Sequence, residues 1–345
     1  MQAVSTDTAE FDVLGLGNAI VDIVAYADDA LVEELALARG AMTLVDWERM
    51  EFLYRRLGPA REVSGGSCAN TMAAIAAMGG RAAYIGRVHD DELGRIFAHD
   101  IRAAGVTFRS RPTRTGPPTA RSIIFVTPDA QRTMNTYLGA CVELAPDDVD
   151  EELVTGAAVT YLEGYLWDRP EAKAACLKAV EIAGRAGRTL ALTLSDAFCV
   201  DRWRSEFRAL ITTHIDILFA NESELTSLYQ VTSFDDALQR VRRDVRFAAL
   251  TRGAKGSVIV RGDEVHVIDA VRPARLADTT GAGDLYAAGF LRGLTAGLDL
   301  AACGRLASAC AAKIIEEYGA RAQTPLLPLF EAAVRGAQRT LRPAR

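Results

Sequence analysis

The sequence lacks any Cys-x-x-Cys pair: its six cysteines, at 68, 141, 176, 199, 303 and 310, are scattered, as are its four histidines at 89, 99, 214 and 266. That spacing excludes a zinc site of the finger type and a disulfide framework. Cys303 and Cys310, on an alanine-rich helical stretch, read as small core residues. Basic residues are not in excess: 39 Lys and Arg stand against 45 Asp and Glu, a net charge of −6 with no basic run. Nucleic-acid binding is therefore disfavoured, and an anionic substrate needs a local positive site. No apolar run approaches membrane-spanning length, and residues 1–7 have neither a basic n-region nor an apolar h-region. A cytoplasmic location without a membrane partner is expected. A Walker loop is missing too, because Gly253-Ala254-Lys255-Gly256-Ser257 places its lysine at the wrong spacing. Gly15-Leu16-Gly17 begins like a dinucleotide fingerprint but has Ile20 at the third glycine position, so a Rossmann dehydrogenase is a poor reading.

What is present is a chain of 345 residues, 50% hydrophobic and 24% charged, the composition of a soluble globular protein with a sizeable core. Short β-rich apolar runs at 13–16, 158–162, 189–194, 216–220 and 247–250 alternate with helical patterns such as 171–186, 202–211 and 234–243. The alternation predicts an α/β fold with a mostly parallel sheet covered by helices on both faces, in one domain spanning residues 1–345. Ligands of such sheets bind beyond the carboxyl ends of the strands. Asn18, Gly164-Tyr165, Ser195-Asp196, Asn221 and Thr251-Arg252-Gly253 all follow predicted strands, so a single site along that edge is expected. Two intervals, about 20–62 and 106–137, break the alternation and hold candidate strands of a small inserted sheet. The Pro343-Ala344-Arg345 tail is expected to be loose.

The most informative stretch is Asp278-Thr279-Thr280-Gly281-Ala282-Gly283-Asp284, which runs into the apolar helical pattern Leu285, Ala288, Gly289 and Leu291. Glycines let the backbone approach an anion, and the N–H groups at a helix start are unpaired donors backed by the helix dipole. An acid among such donors is expected to stay ionised with a low pKa. A carboxylate beside a phosphate nest points to a base; the plainer reading is a glycine turn with Asp capping a helix.

That heptapeptide resembles the C-terminal signature of the ribokinase-like carbohydrate kinases of the phosphofructokinase B type. Gly65-Gly66-Ser67-Cys68-Ala69-Asn70, followed by a small-residue helix ending in Gly79-Gly80, resembles their second signature. Gly17 to Asp22, Leu194 to Phe198 and Asn221 to Glu224 are similar to segments of the adenosine kinases within that family. The resemblance spans about 11–328. It implies a three-layer α/β/α sandwich with a discontinuous β-sheet lid over the acceptor, and a lid excludes water that would otherwise hydrolyse ATP.

Residue by residue, the resemblance implies that Asp284 is the base and that the N–H groups of Gly281, Ala282 and Gly283 form an anion hole. Asn18, Asp22, Gly65, Gly66 and Asn70 match positions that grip sugar hydroxyls, and paired acid and amide groups suit a vicinal diol. Asn221 and Glu224 match the magnesium-phosphate region, although Asn-x-x-Glu is equally a helix capping box. Thr251, Gly253 and Gly256 are implied nucleotide contacts, and Ser308 stands where relatives carry an adenine-pocket asparagine. Arg132 occupies the place of a phosphate-facing arginine and is otherwise a surface charge. Asp278 and Thr280, with carbonyls near Gly319-Ala320, resemble a site for a monovalent cation, which leaves potassium dependence open. Tyr165 reads either as a base-stacking ring or as core, and a pocket around Ile20, Val24 and Tyr165 would separate a nucleoside from a free sugar. The implied activity is ATP- and Mg²⁺-dependent transfer of the γ-phosphate to the 5′-hydroxyl of a ribonucleoside, foremost adenosine, by a monomer or a dimer joined through the lid. A free-sugar kinase of the ribokinase or fructokinase type and a non-catalytic nucleoside-binding protein are the alternatives.

Overall fold

The computed structural model describes residues 9–129 and 131–340, so residues 1–7 and the Pro-Ala-Arg tail lie outside the described residues. Its first strands are β1 (Phe11–Leu16), β2 (Ile20–Tyr26), β3 (Met42–Leu44), β4 (Ala60–Gly65) and β5 (Ala82–Ile85). Then come β6 (Thr107–Phe108), β7 (Ala120–Val126), β8 (Arg132–Tyr137), β9 (Ala157–Glu163) and β10 (Thr189–Thr193). The last are β11 (Ile217–Asn221), β12 (Phe247–Thr251), β13 (Ser257–Arg261) and β14 (Glu264–Ile268). They form a nine-stranded sheet in the order β14-β13-β12-β11-β10-β9-β1-β5-β6 and a five-stranded sheet in the order β3-β8-β7-β2-β4.

The large sheet is parallel from β12 to β6, with β13 and β14 added antiparallel. Its strands are apolar on both faces, and successive residues feed different cores. Val13, Ala191, Phe219 and Ala249 join one buried cluster, whereas their neighbours Leu14, Leu192, Leu218 and Leu250 join the other. Helices Ser67–Ala77, Ala282–Thr295 and Leu300–Ile315 cover the first face; Pro170–Arg185, Ala197–Thr213 and Phe234–Asp244 cover the second. Burial on both faces is what a parallel sheet needs, and it explains the continuous apolar runs in the sequence.

The second sheet is one-sided. Along β2, Val21, Ile23 and Ala25 are buried while Ile20, Asp22 and Val24 are partly exposed, the period of a strand with one face on a core. Thr107–Phe108 falls inside the interval expected for this sheet but pairs with β5 in the large one, at Ala83↔Thr107 and Tyr84↔Phe108. The reason is aromatic packing: the Phe108 ring lies 5.9 Å from Tyr84 and 5.5 Å from Phe97. The chain passes between the sheets twice near one point, through Gly17 to Ala19 from β1 to β2 and through Gly66 from β4 into helix Ser67–Ala77.

Candidate active site

The carboxyl ends of β9, β10, β11 and β12 deliver Glu163, Thr193, Asn221 and Thr251 to one cavity of about 670 Å³, with Asn18 just past β1. Residues 279–284 close it from one side and the second sheet from another, through Ile20, Asp22, Met42, Leu44, Ser122 and Met134. Among the described residues, no helix is long and apolar enough to cross a membrane.

Helix Ala282–Thr295 starts without a side-chain cap because Gly281 occupies the N-cap position. Gly281 has φ 78°, and a Cβ there would stand 2.8 Å from Ala320 Cα, so only glycine closes this turn. The Ala282 N–H, expected in the anion hole, instead donates to the Thr279 carbonyl at 3.2 Å and shapes the turn. The N–H groups of Gly281 and Gly283 have no acceptor among the described residues and remain as donors for an anion. Asp284 accepts from Ser67 Oγ at 2.6 Å and from Asn70 Nδ2 at 3.0 Å, so the first turn of helix Ser67–Ala77 holds its carboxylate. Its expected low pKa is corrected by the structure. Burial among protein atoms pushes the carboxyl up, and the Ser67 and Asn70 hydrogen bonds and the Arg321 charge offset this only in part. A raised value suits a base better than a lowered one.

Beside Asp284 lie two buried amide oxygens, Asn18 Oδ1 and Asn70 Oδ1, that no protein donor satisfies among the described residues. Their Nδ2 groups are engaged elsewhere, Asn18 with Glu163 Oε1 at 2.9 Å and Asn70 with Asp284, so each amide presents its acceptor. Asp22 completes the set. Burial raises its carboxyl to about 6, against the lowering charges of Arg132 and Arg321. Gly65 lies against Asp22, since a Cβ there would be 2.5 Å from Asp22 Oδ2. Gly66 has φ 96°, and a Cβ would meet the Asn18 carbonyl oxygen at 2.1 Å, which is why glycine stands where the two crossings meet.

Two residues outside every motif join this region. Glu163 is buried at the end of β9 and accepts from Asn18 Nδ2 and from the Cys68 N–H at 3.0 Å. Burial raises its carboxyl to about 7. Arg321 donates through Nε and Nη2 to the carbonyl and hydroxyl of Ser64, both at 3.0 Å, while Nη1 is enclosed without a partner among the described residues. Its charge acts on both Asp22 and Asp284. The sequence signal for Glu163 is an acid closing an apolar strand. For Arg321 there is none, since its importance lies in what packs around it.

On the opposite flank, Asn221 and Glu224 form the capping box: Glu224 N–H donates to Asn221 Oδ1 at 2.8 Å, and Asn221 N–H donates to Glu224 Oε2 at 2.9 Å. Both also line the cavity, so the structural and the functional readings coexist. Burial raises Glu224 to about 7. Among the described residues no group of three or more His, Cys, Asp or Glu could hold a metal ion. A single cavity carboxylate such as Glu224 is compatible with a hydrated Mg²⁺ brought on nucleotide phosphates, because Mg²⁺ keeps several waters and needs few carboxylates. Thr251 and Tyr165 line the cavity, and Tyr165 donates to the Ser195 carbonyl at 3.4 Å. Ser195 itself has φ 72° and a buried hydroxyl without a partner among the described residues. Gly253, Gly256 and Val24 do not line the cavity. Nor does Ser308, which accepts from Val271 N–H and donates to the Asp269 carbonyl, both at 3.1 Å, and so holds a loop rather than offering a free hydroxyl.

Arg132 and Asp278, read as separate site residues, are paired: Arg132 Nη1 lies 2.6 Å from Asp278 Oδ2, with both side chains only 7% exposed. The Arg132 side chain does not line the cavity, and Asp278 is surrounded by donors, so neither presents itself as expected. The residues present do not fit a monovalent cation at Asp278.

The chain has well-matched counterparts among solved structures. A crystal structure of adenosine kinase from Sinorhizobium meliloti superposes with a TM-score of 0.87 at 52% identity, covering 95% of this chain and 100% of that one. A probable sugar kinase from Rhizobium etli CFN 42 gives a TM-score of 0.87 at 50% identity, covering 95% and 99%. An ATP-dependent ribose-1-phosphate kinase of Halopiger xanaduensis is 30% identical over 76% of this chain and 83% of its own length. The pfkB family carbohydrate kinase model matches residues 56–327. With a ribokinase-like fold and an acid held at a glycine turn, the chain belongs to the pfkB family of carbohydrate kinases, phosphotransferases with an alcohol group as acceptor.

Proposed function

We propose that this kinase transfers the γ-phosphate of ATP to the 5′-hydroxyl of a ribonucleoside, with adenosine as the preferred acceptor. The observation that carries the reading is the pair of buried, unpartnered oxygens Asn18 Oδ1 and Asn70 Oδ1, set in one cavity with Asp22 and Asp284. Such acceptors are costly to bury unless a ligand supplies donors, and the two hydroxyls of a ribose do so. Ile20, Met42, Leu44 and Met134 make an apolar wall suited to a flat base, which a free sugar would leave unfilled. The likeness to the Sinorhizobium meliloti enzyme supports adenosine among the bases.

In this reading Asp284 takes the proton of the acceptor hydroxyl. Phosphoryl transfer has a loose transition state, so the proton leaves late and positioning outweighs basicity. The N–H groups of Gly281 and Gly283 stabilise charge on the transferred group. Asn221 and Glu224 lie where the nucleotide phosphates and their Mg²⁺ would be held, and the ion would neutralise phosphate charge. The second sheet acts as the lid that excludes water. A cytoplasmic location accords with cysteines that are all free and buried in the described residues.

The test is ATP- and Mg²⁺-dependent phosphorylation across adenosine, inosine, guanosine, ribose and fructose. Preference for adenosine is expected. Turnover with free sugars alone would overturn the nucleoside assignment, and no turnover with any acceptor would favour a binding protein.

A further inference from the structure

We propose that the Arg132 guanidinium is the resident cation of the anion-binding turn, standing where a monovalent metal ion would otherwise sit against Asp278, so that this kinase turns over without potassium. The inference rests on the kinase reading above and concerns what holds its anion turn.

A carboxylate offers about four acceptor positions on its two oxygens. Asp278 Oδ1 accepts from Thr280 N–H at 2.9 Å and from Thr280 Oγ1 at 2.7 Å. Asp278 Oδ2 accepts from Arg132 Nη1 at 2.6 Å and from Gly319 N–H at 2.9 Å. All positions are filled by protein donors, and the donors come from three directions: the turn itself, residue 319, and the second sheet. A metal ion needs the same lone pairs and would have to displace one of them.

The charge argument agrees. Asp278 stands at the head of the turn that leads to the Gly281 and Gly283 donors, and an uncompensated carboxylate there would oppose a phosphate. Burial would raise its pKa, yet the Thr280 and Gly319 hydrogen bonds and the Arg132 charge outweigh that and hold it below its ordinary value. The chain supplies a cation of its own at this carboxylate, Arg132. Arg132 opens β8 and shares its alternation with Met134 and Thr136, both on the cavity side, so the pair also ties the second sheet to the anion turn. Arginine suits this point of β8, because its long planar fork delivers one N–H to Asp278 from a neighbouring sheet.

The experiment uses the full-length protein in potassium chloride and in tetramethylammonium chloride at matched ionic strength. Two readouts are taken: thermal unfolding without substrate, and turnover with ATP, Mg²⁺ and adenosine. Wild type should give the same melting temperature and the same turnover in both salts. Arg132→Ala should lose about a hundredfold in kcat in tetramethylammonium, the scale for removing one preorganised electrostatic group. Potassium should restore part of that loss and should raise the melting temperature of this variant alone. Arg132→Lys, which keeps a cation, should not respond to potassium. A wild type that needs potassium for turnover, or that potassium specifically stabilises, would overturn the proposal, as would an Arg132→Ala protein with no potassium response. If wild type phosphorylates no acceptor, the kinase reading fails, whereas the unfolding comparison still decides whether Asp278 accepts the metal.

Discussion

On the floor of the cavity, polar groups of the large sheet and two helix starts meet one another; on its roof, the second sheet presents mostly apolar side chains. On the floor, Asp284 binds Ser67 and Asn70, and Glu163 binds Asn18 and the Cys68 N–H, two hydrogen-bonded sets side by side. Ile20, Met42, Leu44 and Met134 on the roof make no such network. The two surfaces teach different lessons about precision. The floor is held by directional bonds inside a low-dielectric surround, where each partner's placement depends on the others. The apolar part of the roof meets the cavity through packing, with methionines that adapt to the shape they meet. Chemistry belongs on the first surface and choice of acceptor on the second.

The comparison is sharpest at Asp284. Replacing it with Asn should lower kcat by about a hundredfold to ten-thousandfold, the range for a positioned acid or base, with KM little changed. Steady-state kinetics on adenosine check this, and near-normal turnover would remove Asp284 from the base role. One step back from the chemistry, Arg321→Met should lower kcat/KM by about tenfold to a hundredfold, the worth of a charge-assisted interaction. Because Arg321 holds down the pKa of Asp22 and Asp284, the acid limb of its rate profile should also move to higher pH. A purely structural arginine would leave that limb in place. On the roof, Leu44→Ala should cost adenosine no more than about tenfold in kcat/KM and leave any turnover of free ribose unchanged, since a few methylenes in an apolar pocket discriminate weakly. An equal loss for both acceptors would break the division between floor and roof.

The smallest effect concerns stability. Glu163 and Glu224 have folded values raised from 4.5 to about 7, and Asp22 from 3.8 to about 6. A raised value means that the folded form binds protons the unfolded form has released. Their contribution is therefore full below the unfolded values and is lost as pH rises through the folded ones. The ligand-free protein should show a falling component of melting temperature between about pH 4.5 and 7, and Glu163→Gln should flatten it. An unchanged pH dependence in that variant would show that Glu163 does not titrate there.

Much of the floor was legible because it is local. The glycine turn at 281–283, Gly66 before a small-residue helix and Asn221 with Glu224 each satisfy a constraint of a few consecutive residues, and the structure realises all three. The Ala282 N–H was misread because turn geometry, not residue type, decided that it closes on Thr279. Ser308 could not be placed from sequence because its partners, the Val271 N–H and the Asp269 carbonyl, lie on a distant loop. Thr107–Phe108 went to the large sheet because rings remote in sequence drew it there.

By itself, then, the sequence determined the alternating α/β layers, the glycine turn at a helix start and the acid beside it, since hydrophobic period and helix-start chemistry are encoded within short windows. Only the tertiary structure decided that Glu163 orients Asn18, that the Arg321 charge acts on Asp22 and Asp284 among its acidic neighbours, and that Arg132 fills the last acceptor position of Asp278. Those are pairings across 145, 257 and 146 residues of chain for Asn18 with Glu163, Ser64 with Arg321 and Arg132 with Asp278. No local pattern records them, because a buried charge acquires its meaning from whatever the fold packs against it.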